Sequence, residues 1–221
     1  MILSSEEIVK RIQQGDLVFT PALDRFQVQA HSIDLRLGFS FLIPASWELT
    51  DKGRVALRTD HLDFENQSSR FTLIELEEGQ FFDMLPGEYV GVSTLEKIKL
   101  PPDLMAVLYP RSSVNRRGLS VDLTGIVDAG FEGNLLIPVR NNTQYQVIRM
   151  YPGERFCQIV LEEIRGEPHV QQSRWHNKDI MVTIQRERSQ DEVDYVRTGK
   201  ISQLKRDCAL DRLQEGRADG G

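Results

Sequence analysis

Up to Gly15 the apolar positions recur at helical spacing, and almost everywhere after it they recur at strand spacing. In MILSSEEIVKRIQQG, Ile8, Val9 and Ile12 share one face, Ser4 or Ser5 supplies a capping hydroxyl, and Gly15 supplies the stop. The chain therefore opens with a short amphipathic helix. From Leu17 the runs shorten. Leu35–Leu42, Arg70–Leu76, Tyr89–Val92, Leu104–Leu108, Leu135–Val139 and Phe156–Leu161 are apolar or alternating and are punctuated by proline and glycine. That pattern predicts many short strands in a mainly β domain, a sandwich or jelly roll, and lacks the long helical periods of βαβ units. After Ile164 a polar stretch, the short apolar piece Ile180–Ile184 and the charged, helix-compatible Ser189–Gly216 follow. The expected division is a β domain over 1–164 and a polar, partly helical C-terminal extension over 165–221.

With 221 residues and 40% hydrophobic content, the chain can enclose one full core with a small appendage. A net charge of -6 argues against a surface built to neutralise a nucleic-acid backbone, yet local basic clusters can still take a small anion. Cys157 and Cys208 stand in no paired spacing, and His31, His61, His169 and His176 form no ligand pair. A reducing cytoplasm fits this usage. The opening reads as a capped helix rather than a signal sequence, and no apolar run approaches the roughly 20 residues that a membrane crossing needs.

Candidate chemistry concentrates between Leu100 and Gly133. Arg111, Ser112, Ser113, Arg116 and Arg117 combine guanidinium forks with hydroxyl donors that match phosphate oxygens. In GIVDAGFEG, Gly125 and its neighbouring glycines permit a tight turn, Asp128 can orient and deprotonate a water, and Phe131 can pack flat on a sugar or base. Asp34 lies in the alternating strand SIDLRLG, where a charge needs a partner or a metal. Gln158, among apolar residues of GERFCQIV, needs hydrogen-bond partners from backbone or ligand.

In order and spacing, SIDLRLG, PRSSVNRRGL, DLTGIVDAGFEG and GERFCQIV resemble the four motifs of the trimeric dUTPase and dCTP deaminase superfamily. The opening helix and STLEKIKLPPDL look more like its deaminase branch. The resemblance implies a distorted β jelly roll, a homotrimer with sites at subunit interfaces, a deoxyribonucleoside triphosphate as substrate, and Mg²⁺ carried on that triphosphate. It places Ser112, with Arg111 and Arg116, on the phosphates, and Asp128 on the attacking water and the sugar 3′-hydroxyl. Phe131 would stack on the sugar, Gln158 would assist on the phosphates, and Asp34 would support the metal through water.

Two departures from the superfamily pattern set the order of functional readings. Deaminases need a Glu on the strand after the third motif, where this chain has Pro138 in Leu135–Val139, a residue that cannot move protons. Glu132 is the nearest other carboxylate in sequence. The loop Thr124–Asp128 also matches the dUTPase form, while the glycine-rich closing motif of short dUTPases does not occur. The expectation is thus dUTP hydrolysis to dUMP and pyrophosphate first, deamination of dCTP alone or followed by hydrolysis second, and a non-catalytic nucleotide-binding relative third. Gln172–Lys178, with Trp175 between cations, reads as a packed linker before it reads as a lid.

Overall fold

The structure, a computed structural model, describes residues 1–57, 62, 71–122, 124–166 and 189–209. Helix α1 spans Ser5–Gln14, with the Ser4 hydroxyl accepting from the Glu7 N–H and Gly15, at φ 79°, closing the end onto the Ile12 carbonyl. Ile8 is fully buried beneath it. Arg11 ties the helix to the body through Asp16 at 2.6 Å and Asp103 at 2.8 Å.

The strands are β1 (Val18–Thr20), β2 (Ile33–Pro44), β3 (Trp47–Thr50), β4 (Gly53–Ala56), β5 (Phe71–Glu75), β6 (Phe82–Met84), β7 (Tyr89–Thr94) and β8 (Lys97–Lys99). They continue with β9 (Leu104–Pro110), β10 (Leu119–Val121), β11 (Ile126–Val127), β12 (Glu132–Gly133), β13 (Leu136–Asn141), β14 (Ile148–Met150) and β15 (Arg155–Glu163). A short helix α2 (Ser112–Asn115) leaves β9, and α3 (Gln190–Arg197) and α4 (Ile201–Asp207) lie in the tail. All six strands expected from the alternation are present. Ile180–Ile184 and Gln172–Lys178 lie outside the described residues.

The principal sheet runs β10-β13-β7-β2-β15-β9-β11, with β5 added on β2; β1-β8-β12, β14-β6 and β3-β4 form smaller sheets. Antiparallel pairs of this kind curl into a distorted jelly roll. Strand β2 is its spine. Its first part, Ile33–Arg36, pairs with β15, and after a register shift its second part pairs with β7 and β5. At the shift, a Cβ on Gly38 would sit 2.3 Å from Ser93 Oγ and 2.7 Å from the Thr94 carbonyl oxygen, so the approach of β2 to β7 requires glycine there. Inward positions of these strands, among them Ile33, Leu35, Leu37, Phe41, Ile137 and Ile159, form the core. Among the described residues no helix is long and apolar enough to cross a membrane.

Candidate functional site

Strand pairing puts Asp34 opposite Gln158 and Gln158 opposite Tyr109, so β2, β15 and the end of β9 converge on one cluster. Asp34 is 1% exposed. Its Oδ2 accepts from Arg155 Nη1 at 3.0 Å and lies 3.2 Å from Arg111 Nη2. Burial pushes this carboxyl above its ordinary range, while the charges of Arg111 and Arg155 pull it back. Each guanidinium is held a second time, Arg111 by the Arg155 carbonyl at 3.1 Å and Arg155 by the Phe26 carbonyl at 2.6 Å. Gln158 donates to the Pro110 carbonyl and accepts from Ser32 Oγ, both at 3.3 Å. Asp34 and Gln158 thus have the partners their surroundings demanded. Among the described residues, no three His, Cys, Asp or Glu side chains converge as a metal cage, and the Asp34 carboxylate is shared between two arginines.

Arg111 is also the N-cap residue of α2. The chain leaves this helix at Gly118, where φ is 92° and a Cβ would meet Thr143 Cγ2 at 2.4 Å, fixing the second motif against the 142–143 loop. Ser112 and Arg116 are exposed, and neither side chain has a partner among the described residues. Ser113, on the neighbouring helical face, joins Arg111 on the wall of a cavity beneath the helix.

The third motif forms a turn of a different character. Strand β11 pairs with β9, Leu108 donates to the Gly125 carbonyl at 2.8 Å, and Phe131 N–H closes the turn on the Asp128 carbonyl at 3.1 Å, with Gly130 at φ 73°. The Asp128 side chain is exposed and without a partner among the described residues. Phe131, expected to stack on the sugar, is 8% exposed and belongs to the core of this chain, beneath the turn. Val127 pairs with Ala106, five residues before Arg111, which places Asp128 roughly 16 Å along the strand from α2. One chain does not bring Asp128 onto Ser112 and Arg116.

Pro138 lies in β13 opposite Gly91. Glu132 belongs to another sheet and pairs with Lys97 at 2.7 Å and Lys99 at 3.6 Å. The register of β10 against β13, Ser120 to Arg140 and Val121 to Val139, brings Asp122 opposite Pro138, and the Asp122 N–H donates to the Pro138 carbonyl at 2.9 Å. Opposite residues share a sheet face, with Cβ atoms about 5 Å apart. Ser120 and Arg140 lie on that face with Asp122, the hydroxyl donating to its Oδ1 and Arg140 Nε 3.6 Å from its Oδ2. Sequence reading passed over Asp122 because only the cross-strand register reveals its neighbour. The alternation of LSVD after α2 was the available signal.

A family model described as dCTP deaminase-like matches residues 2–164. A "dCTP deaminase, dUMP-forming" of Methanosphaera stadtmanae is 37% identical over 165 residues, 73% of this chain and 78% of the relative. Another of that name, from a Sulfurihydrogenibium species, is 41% identical over 74% of this chain and 84% of the relative. Among solved structures, the 2'-deoxycytidine 5'-triphosphate deaminase of Agrobacterium tumefaciens superposes with a TM-score of 0.56 at 26% identity, over 74% of this chain and 49% of that one. That superposition spans about half of the solved deaminase, whereas the sequence matches span most of theirs. With the motifs in sequence order on the strands just described, the chain belongs to the dCTP deaminase-like family.

Proposed function

We propose that this protein converts dCTP to dUMP in two hydrolytic steps. In the first, water adds at C4 of cytosine and ammonia leaves; in the second, water attacks the α-phosphorus and pyrophosphate leaves. The names of the relatives reverse the order reached from sequence, where hydrolysis of dUTP came first. The observation that carries the reading is Asp122, a carboxylate directly across from Pro138 on the same sheet face. Proton transfer at the cytosine ring needs a titratable group there, and the neighbouring strand supplies it in place of β13. Ser120 and Arg140 orient it.

For the second step, Asp128 positions and deprotonates the water, with Ser112 and Arg116 on the phosphates. Asp34, through its ion pairs, fixes Arg111 and so the start of α2. The described acidic groups do not make a resident metal cage, so Mg²⁺ enters as part of the substrate, bound to the triphosphate. The separation of Asp128 from α2 within one chain supports a site completed by a second copy, as in a homotrimer. A second reading, hydrolysis of dUTP without deamination, is favoured by Pro138 itself.

Incubation of the protein with Mg²⁺-dCTP and Mg²⁺-dUTP separately, with ammonia, pyrophosphate and dUMP measured, decides between them. Ammonia and dUMP from dCTP are expected. Asp122→Asn should lower ammonia release roughly 10²–10⁴-fold, well beyond its effect on pyrophosphate release from dUTP. dUMP from dUTP with no ammonia from dCTP leaves the second reading. Tight binding with no product removes both.

A further inference from the structure

The sheet face that carries Asp122 has an aromatic neighbour that neither hydrolytic step uses. In strand register Ser120 stands opposite Arg140 and Arg140 opposite Tyr89; two residues along, Asp122 follows Ser120 and Pro138 stands opposite Gly91. Side chains two apart on a strand share a face, so these are adjacent rows of one surface. Gly91 has no side chain and Pro138 no polar side-chain atom. Among the described residues, the groups in contact with the Asp122 carboxylate therefore come from the first row, Ser120 through its hydroxyl and Arg140 at 3.6 Å.

That ion pair is open to water, with the Arg140 side chain 50% exposed and that of Asp122 34% exposed. An exposed pair at such a separation contributes little and leaves two long side chains free to turn. The guanidinium needs a further hold. The Arg140 guanidinium carbon lies 5.5 Å from the centre of the Tyr89 ring, within the distance at which a cation is attracted to an aromatic face. Burial, and after it the charge of Asp122, push the Tyr89 phenol above its ordinary 10.0, while Arg140 draws it back. At neutral pH Arg140 thus meets an uncharged ring. Ring, guanidinium and carboxylate form a chain of contacts that crosses three strands, β7, β13 and the end of β10.

We infer that Tyr89 is a positioning residue for the deamination step: its ring holds Arg140, and Arg140 so held aims the Asp122 carboxylate. The inference rests on the deamination proposed above. Removing the ring releases the guanidinium and lowers the share of time that Asp122 spends correctly aimed, which slows proton transfer without touching substrate binding.

Steady-state ammonia release from Mg²⁺-dCTP, with pyrophosphate release from Mg²⁺-dUTP measured beside it, tests this in the full-length protein. Tyr89→Leu should lower kcat for ammonia release roughly 3- to 10-fold, with KM for dCTP and pyrophosphate release from dUTP unchanged. Tyr89→Phe keeps the ring and should restore the rate. In an Arg140→Gln background Tyr89→Leu should cost nothing more, because the contact through which it acts is already gone. Ammonia release by wild type that Tyr89→Leu leaves unaltered overturns the inference alone. So does a Tyr89→Phe protein as slow as Tyr89→Leu, an equal loss of both activities, or a Tyr89→Leu loss that persists beside Arg140→Gln. Wild type that releases no ammonia from dCTP removes the deamination reading and the role of Tyr89 with it.

Discussion

The two motifs that border β9 are built on opposite principles. At its end, Asp34, Arg111, Arg155 and Gln158 are packed into a cluster in which each polar group already has a protein partner. At its middle, the turn beyond β11 leaves the carboxylate of Asp128 exposed, with no partner among the described residues. A buried charge is tolerated only when paired, so the first region is organised for stability and for aiming α2. An exposed, unpaired acid on a glycine-shaped turn contributes little to folding and stays available to a ligand. Substitutions should therefore divide cleanly between loss of activity and loss of fold.

The largest effect is expected at the turn. Asp128→Asn should reduce pyrophosphate release from dUTP by roughly 10²–10⁴-fold, with the unfolding midpoint within about 0.5 kcal/mol of wild type, as for a surface change. Near-normal turnover of the folded variant would remove Asp128 from the mechanism and erase the contrast. Next comes Asp34→Asn, which leaves two guanidiniums without their shared carboxylate. About 3–5 kcal/mol of stability should be lost in urea denaturation, and a loss below 1 kcal/mol would mean that the cluster is not the anchor of the fold.

The smallest effect sharpens the comparison through pH. Glu96 is 1% exposed and accepts from Arg36 N–H at 3.0 Å and from Gln27 Nε2 at 2.7 Å, with no cation in ion-pair contact among the described residues. Burial raises its carboxyl above the ordinary 4.5, against the pull of those donors. A raised acid binds its proton more tightly folded than unfolded, so its contribution is greatest below pH 4.5 and is lost as pH rises through the raised value. The stability of wild type relative to Glu96→Gln should follow that course, by about 1–3 kcal/mol at most. A difference that is flat with pH would show that Glu96 does not titrate in this window.

Much of this was legible in the chain. Period-two alternation located β2, β5, β7, β9, β13 and β15, because each buries one face on the core. The pairing of Asp34 was foreseeable from its apolar setting, although Arg155, one of its two partners, was not. Such partners come from pairings far apart in sequence, and local pattern carries no information about register. The same limit hid Asp122 beside Pro138. The burial of Phe131 in the core was hidden for a related reason, since an aromatic on a glycine turn can face outward or inward.

Strand β2 serves both ends of the sheet, pairing with β15 up to Arg36 and with β7 and β5 from Leu37 onward. In terms of time rather than contacts, Phe41 and Leu42 cannot open without parting β5 and β7 together, whereas the Asp128 turn has only two residues of β11 to release. Asp34 is thus carried on a strand that opens more slowly than the Asp128 turn, a clamp that keeps its aim beside a turn that moves.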